Sequence, residues 1–204
     1  MKKTLIIFAL ALVSFANAQK GTVLVTGNFS YSSQKVKYNN TVQQNQYENF
    51  SISPKIGYQF NDNWTVGGEF SFFKNYNEYF YNSSYLNASY DQKGFSVGAF
   101  MRYSKPLNET FSFYTDLGIG IHKIKENRLN YDGFQYYNTL SKGNGFYTNI
   151  TPALFINIKK GFGLNFNIGG LSYGTINYDN NGGDNKNFNV NFGKTISIGV
   201  SKNF

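Results

Sequence analysis

The stretch FSISPKIGYQFNDNWTVGGEFSF, residues 50–72, alternates strictly, pauses, and alternates again. Phe50, Ile52, Pro54, Ile56, Tyr58 and Phe60 fall on one face, while Ser51, Ser53, Lys55, Gly57 and Gln59 fall on the other. After the polar residues 61–63 the pattern resumes, with Trp64, Val66, Gly68, Phe70 and Phe72 set against Gly67, Glu69 and Ser71. A period of two marks a strand with one apolar and one polar face, and a short polar gap between two such strands marks a hairpin turn.

The same period continues in both directions. Val23, Val25, Gly27, Phe29 and Tyr31 precede the hairpin; Phe95 to Tyr103, Phe111 to Ile121, Ile150 to Ile158, Phe162 to Ile168 and Val190 to Val200 follow it, each apolar at every second position. Only Thr115 and Lys194 interrupt these stripes with polar residues. The count is eight strands, an even number, and each is long enough to cross a bilayer at a tilt of about 40°. The expected fold is therefore all-β, an eight-stranded antiparallel transmembrane β-barrel in an up-and-down meander.

The connections fall into two classes. Tight joins at 61–63, 105–110 and 159–161 alternate with long ones at 33–46, 75–92, 125–144 and 174–186, which are rich in Asn and Tyr. In an antiparallel meander all the short joins share one end and all the long ones the other, as in outer-membrane barrels with short periplasmic turns and long extracellular loops.

The chain of 204 residues begins with Lys2 and Lys3, an apolar run from Leu5 to Val13, and the small residues Ala16, Asn17 and Ala18. This is the order of an export signal, so residues 1–18 are expected to be a signal peptide and 19–204 one barrel domain. No later segment holds a run of apolar residues long enough for a spanning helix. Cysteine is absent, which removes disulfides, thiolate metal sites and a lipidated N-terminal Cys. The net charge of +8 raises a nucleic-acid reading, which export makes untenable.

A soluble barrel or sandwich would point its bulky apolar stripe inward; a membrane barrel reverses this. The polar face decides between them. It carries Lys55, Glu69, Arg102 and Asp116 among Asn, Ser and Gly. Lys55 precedes Phe60 by the same count as Glu69 follows Trp64, and Asp116 stands at a similar distance beyond Phe111. Two cations and two carboxylates at comparable height are expected to close a charge network inside the wall, where an eight-strand lumen is just wide enough for side chains. Tyr58, Phe60, Trp64, Tyr103, Phe111 and Phe162 gather beside the short turns, the position of an interfacial aromatic belt. Lys194, inside an apolar stripe, is read either as snorkelling to the headgroups or as marking a bulge near Gly193.

With its exported start, its eight amphipathic strands, the passage Gly57-Tyr58-Gln59-Phe60-Asn61-Asp62-Asn63-Trp64 and its terminal phenylalanine, the chain resembles small outer-membrane β-barrel proteins of the OmpA/OmpX-like superfamily, in particular flavobacterial barrel-domain proteins. The resemblance covers residues 21–204. It implies the outer membrane of a Gram-negative bacterium, contact with outer-membrane lipid and lipopolysaccharide, a monomer, and assembly by the barrel-insertion machinery. That machinery reads the last strand, here Ile196, Ile198, Val200 and Phe204, with Lys202 where such proteins commonly carry an apolar or aromatic residue.

The expected function is a structural or surface-binding role through the long loops. Tyr81, Tyr85, Tyr131, Phe134, Tyr136 and Tyr137, set among Asn, are candidate contacts for an extracellular protein or glycan, or they pack across the barrel mouth. Alternatives are a narrow pore or small-ligand barrel lined by the four charges, and a lipid-modifying enzyme using His122, the sole histidine, with Asp116 on its face. A barrel without catalytic residues, cofactor or metal is favoured. Asp179, Asn181, Gly182, Gly183 and Asp184 lack calcium-loop spacing. Lys123, Lys125 and Arg128 form a charged junction that could meet lipopolysaccharide.

Overall fold

The computed structural model describes residues 21–37, 44–81, 86–131, 134–179 and 183–204. Residues 1–18, the expected signal peptide, lie outside the described residues. Eight strands fill the rest: β1 (Val23–Lys37), β2 (Gln44–Gln59), β3 (Trp64–Tyr81), β4 (Leu86–Pro106), β5 (Phe111–Tyr131), β6 (Tyr136–Lys159), β7 (Phe162–Tyr178) and β8 (Asp184–Asn203). Each pairs antiparallel with its neighbour in chain order, and β1 returns to β8. That closing seam is short, running from Leu24↔Asn203 to Asn28↔Gly199, so the ring closes along part of its height. No described helix is long and apolar enough to cross a membrane, a fact silent about strands.

Side chains are sorted inside out. Ile56, Val66, Val97, Leu117, Ile119, Ile121, Ile198 and Val200 are exposed, whereas Thr26, Arg102, Asp116, Asn165 and Ser201 are buried. On β5 the outward residues Phe111, Phe113, Leu117, Ile119 and Ile121 are all exposed and alternate with buried or half-buried ones. At roughly 2.5 Å of vertical rise per residue this run spans about 25 Å, the height of a lipid-facing band. Water gives no reason for such a pattern; hydrocarbon does.

The long joins correct one expectation. The ladders do not stop at the polar stretches. Register continues to Lys37↔Gln44, Tyr81↔Leu86 and Tyr131↔Tyr136, so most residues assigned to loops belong to tall hairpins. Above the apolar band both faces of a ribbon meet polar surroundings, so alternation fades from the sequence while backbone pairing persists.

The short turns are as tight as expected. Between β6 and β7 the chain reverses through Lys160 and Gly161, with φ of 47° and 74°. A two-residue hairpin needs positive φ at both central positions, and Lys160 is the single non-glycine residue among those described that adopts it. Near the seam the pairing slips: β7 advances from Asn167 to Gly169 while β8 advances from Ser197 to Phe192. Residues 193–196 are therefore a bulge, with Gly193 at φ 71°. Of the two readings of Lys194 the bulge is the one present; the side chains of residues 194–196, Ile196 included, lie outside the described residues.

Candidate functional site

Register places the four interior charges. Lys55 on β2 stands opposite Glu69 on β3, and Arg102 on β4 opposite Asp116 on β5. Lys55 Nζ lies 2.8 Å from Glu69 Oε2 and 3.1 Å from Asp116 Oδ2. Arg102 donates from Nε to Asp116 Oδ1 at 2.6 Å and from an Nη to Oδ2 at 3.0 Å. The two neighbouring-strand pairs are thus joined across the lumen by Lys55, a link between β2 and β5.

Aromatic rings complete the plug. The Arg102 guanidinium lies 3.7 Å from the Tyr114 ring centroid, and Lys55 Nζ lies 5.1 Å from that of Phe100. Phe100 and Tyr114 are buried on the inward face, and both interact with the cations through ring faces. Tyr147 reaches from β6 to donate to Glu69 Oε1 at 2.7 Å. Room for it comes from Gly98 and Gly120, opposed on β4 and β5. A Cβ at Gly98 would fall 2.4 Å from the Tyr147 hydroxyl, and one at Gly120 2.8 Å from its ring.

Two cavities lie on either side of this layer. One of about 290 Å³ is bordered by Lys55, Glu69, Arg102 and Tyr147. The other, about 260 Å³ and nearer the short turns, also touches Arg102 and Tyr114. A smaller buried trio, Thr26, Asn165 and Ser201, ties β1, β7 and β8 together beside the seam. Asn165 donates to Thr26 Oγ1 at 3.1 Å and accepts from Ser201 at 3.3 Å.

Higher up, a second polar cluster centres on Glu126, two inward positions beyond His122 and above the apolar run of β5. Tyr178 donates to its carboxylate at 2.6 Å, Gln92 at 2.8 Å and Arg128 at 3.2 Å. Burial opposes ionisation of Glu126, but hydrogen bonds from Tyr178, Gln92, Tyr90 and Arg128 outweigh it and hold the carboxyl below its ordinary value. Burial, reinforced by Glu126, pushes the Tyr90 phenol up to about 12 and raises that of Tyr178. Of this cluster the sequence singled out only Arg128, grouped with Lys123 and Lys125; the structure separates it from those lysines, pairing it with Glu126 in the opposite phase of β5.

The remaining candidates separate. His122 faces inward, but its Nε2 is 2.7 Å from the Thr175 carbonyl and its ring stacks with Tyr147; Asp116 is occupied by Arg102 and Lys55. His122 and Asp116 are therefore not brought together. Among the described residues no three His, Cys, Asp or Glu side chains are close enough to hold a metal ion. Tyr131 and Tyr136 form a ring pair 4.9 Å apart at the β5–β6 tip, Tyr137 is exposed, and Phe134 is 95% exposed. Tyr85 and the side chain of Tyr81 lie outside the described residues. In β8, Ile198 and Val200 are exposed on the outer face, and Phe204 exchanges backbone hydrogen bonds with Val23. Lys202 donates to the Lys160 carbonyl at the neighbouring turn.

An antiparallel ring with an apolar exterior and a hydrogen-bonded polar interior is a membrane-type β-barrel in class. The sequence matches the family of outer membrane protein beta-barrel domains over residues 4–204, and the chain belongs to that family. Solved structures similar to it include Ail, the attachment invasion locus protein of Yersinia pestis, crystallised with the heparin analogue sucrose octasulfate: 18% identity, TM-score 0.41, covering 91% of this chain and 100% of that one. The N-terminal β-barrel domain of Pseudomonas aeruginosa OprF is 13% identical with a TM-score of 0.34, over 91% and 98% of the two chains. Pseudomonas aeruginosa OprG is 17% identical with a TM-score of 0.36, over 91% and 97%. Likeness this remote carries no argument about function. Among curated proteins no match was found.

Proposed function

We propose that this chain is exported by residues 1–18 and spans the outer membrane of a Gram-negative bacterium as an eight-stranded barrel. Its short turns face the periplasm and its tall hairpins the exterior. Its role is that of a plugged, rigid support for surface contacts, with Tyr131, Phe134, Tyr136 and Tyr137 at one tip available to an extracellular protein or glycan. Lipid and lipopolysaccharide surround it, the insertion machinery assembles it through Ile196, Ile198, Val200 and Phe204, and it works as a monomer.

The observation that carries this reading is the joint one of an apolar outer wall and a lumen crossed by Lys55, Glu69, Arg102 and Asp116. A cross-lumen network stiffens the wall and occupies the route a solute would take. Protease added to intact cells tests the orientation: cleavage within the tall hairpins with a protected, heat-modifiable remainder is expected, and full protection or complete digestion contradicts it.

The cavity of about 290 Å³ beside the same charges favours a second reading, a narrow pore or small-ligand site. Planar-bilayer recordings separate the two. The plugged barrel gives no openings, and the Lys55→Gln/Glu69→Gln variant gives some; steady openings of the unaltered protein would favour the pore.

A further inference from the structure

Four lysines meet in register on the outer face. Lys74 on β3 is opposite Lys93 on β4, Lys93 opposite Lys125 on β5, and Lys125 opposite Lys142 on β6. All four are exposed and share the face of Phe72, Phe95, Ile121 and Phe146. Lys74 and Lys93 occupy the first outward positions beyond Phe72 and Phe95 toward the tall hairpins. On β5 that position belongs to Lys123, immediately before Lys125 on the same face. The row is one-sided: continued onto β2 and β1 it reads Phe50 and Tyr31.

Like charges directly opposite on adjacent strands repel, and a sheet normally avoids them. Three consecutive like-charged pairs are relieved by an anion bound among them. Among the described residues none of the four lysines is in an ion pair. Among the described residues, Asp179 is the one acidic residue lining the adjoining concavity, its backbone N–H donating to the Lys142 carbonyl, and Asp91 takes the next outward position beyond Lys93. That concavity, about 470 Å³, has Phe72, Phe95 and Ile124 along its wall and Lys93, Lys123, Lys125 and Lys142 around it.

An apolar wall topped by cations matches a molecule with acyl chains below and phosphates above. We infer that the β3–β6 face binds a phosphorylated glycolipid of the outer leaflet, with the phosphates on Lys93, Lys125 and Lys142 and an acyl chain against Phe72 and Phe95. This deepens the proposed function, on whose membrane orientation it rests. Lysine suits the task as a flexible point charge that reaches from the edge of the hydrocarbon to the headgroup plane.

The test uses the purified, folded full-length chain in detergent, with binding of bisphosphorylated lipid A and of its dephosphorylated form followed by native mass spectrometry. The unaltered protein is expected to retain the phosphorylated lipid preferentially. Lys93→Gln/Lys125→Gln/Lys142→Gln should lose about tenfold or more of that binding, while Lys105→Gln/Lys159→Gln at the turn end keeps it. Heat-modifiable gel mobility, read on every variant, establishes that each is folded. A folded protein that binds both lipids equally, or that takes up a soluble sulfated oligosaccharide through these lysines and ignores lipid A, overturns this inference alone. A chain that acquires no heat-modifiable form in detergent or vesicles overturns the membrane reading together with it.

Discussion

Asp116 accepts two hydrogen bonds from Arg102 and one from Lys55, so its charge holds two cations in the lumen. Asp116→Asn leaves both without their shared carboxylate and should cost about 3 kcal/mol, read as a lowered urea midpoint in lipid vesicles. Arg102→Leu/Asp116→Leu, which removes both members, should cost less than the single change, since no charge is then stranded. Glu126 offers a pH test with a definite sign. Its carboxyl is held below the usual value in the folded state, so its contribution is present above about pH 4.3, the unfolded value, and is lost as pH falls through the lower folded one. Protection of the upper β4–β5 amides against hydrogen exchange should fall over that acid window, and Glu126→Gln should flatten the response. The pairing of Lys55 with Glu69 was legible from equal counts either side of a shared turn. Tyr147 was not, because its reach to Glu69 depends on the absence of a side chain at Gly120, opposite it on β5, and at Gly98, two strands away on β4. Phe100 carried a readable signal, an aromatic ring in the polar phase of its strand.

At the scale of elements, hairpins differ in how much local chemistry specifies them. The β6–β7 turn puts Lys160 in a left-handed conformation that asparagine adopts more easily. Lys160→Asn should raise stability by about 0.5–1 kcal/mol, seen as a higher urea midpoint with an unchanged slope. The tall hairpins were read too short. Strand pairing above the bilayer is held by backbone register, and side-chain alternation reports it only where one face meets hydrocarbon. The bulge at 193–196 was legible as a conflict at Lys194, a charged residue falling in phase with apolar ones. Because the upper β5–β6 ribbon stands above the charge layer, replacing residues 127–140 with a short turn should leave the barrel folded and heat-modifiable. Loss of folding in that deletion would mean the ribbon contributes to the core.

For the whole molecule, the antiparallel meander, the strand number and the gathering of short joins at one end and long ones at the other were readable, because they follow from counting periods and comparing gap lengths. What alternation alone could not decide is which face meets hydrocarbon, since a soluble sandwich has the same period. The direction of the charged face decides it, and the lysine row and the plug both depend on that direction. The chain has no cysteine, so single cysteines introduce spin labels without background. Labels at Val97, Ile119 and Val200, compared with Ser96, Asn149 and Asn165 in lipid vesicles, measure exposure to dissolved oxygen, which concentrates in hydrocarbon. High oxygen accessibility at the first three and low accessibility at the second three is the predicted result; the opposite ranking would contradict the inverted barrel.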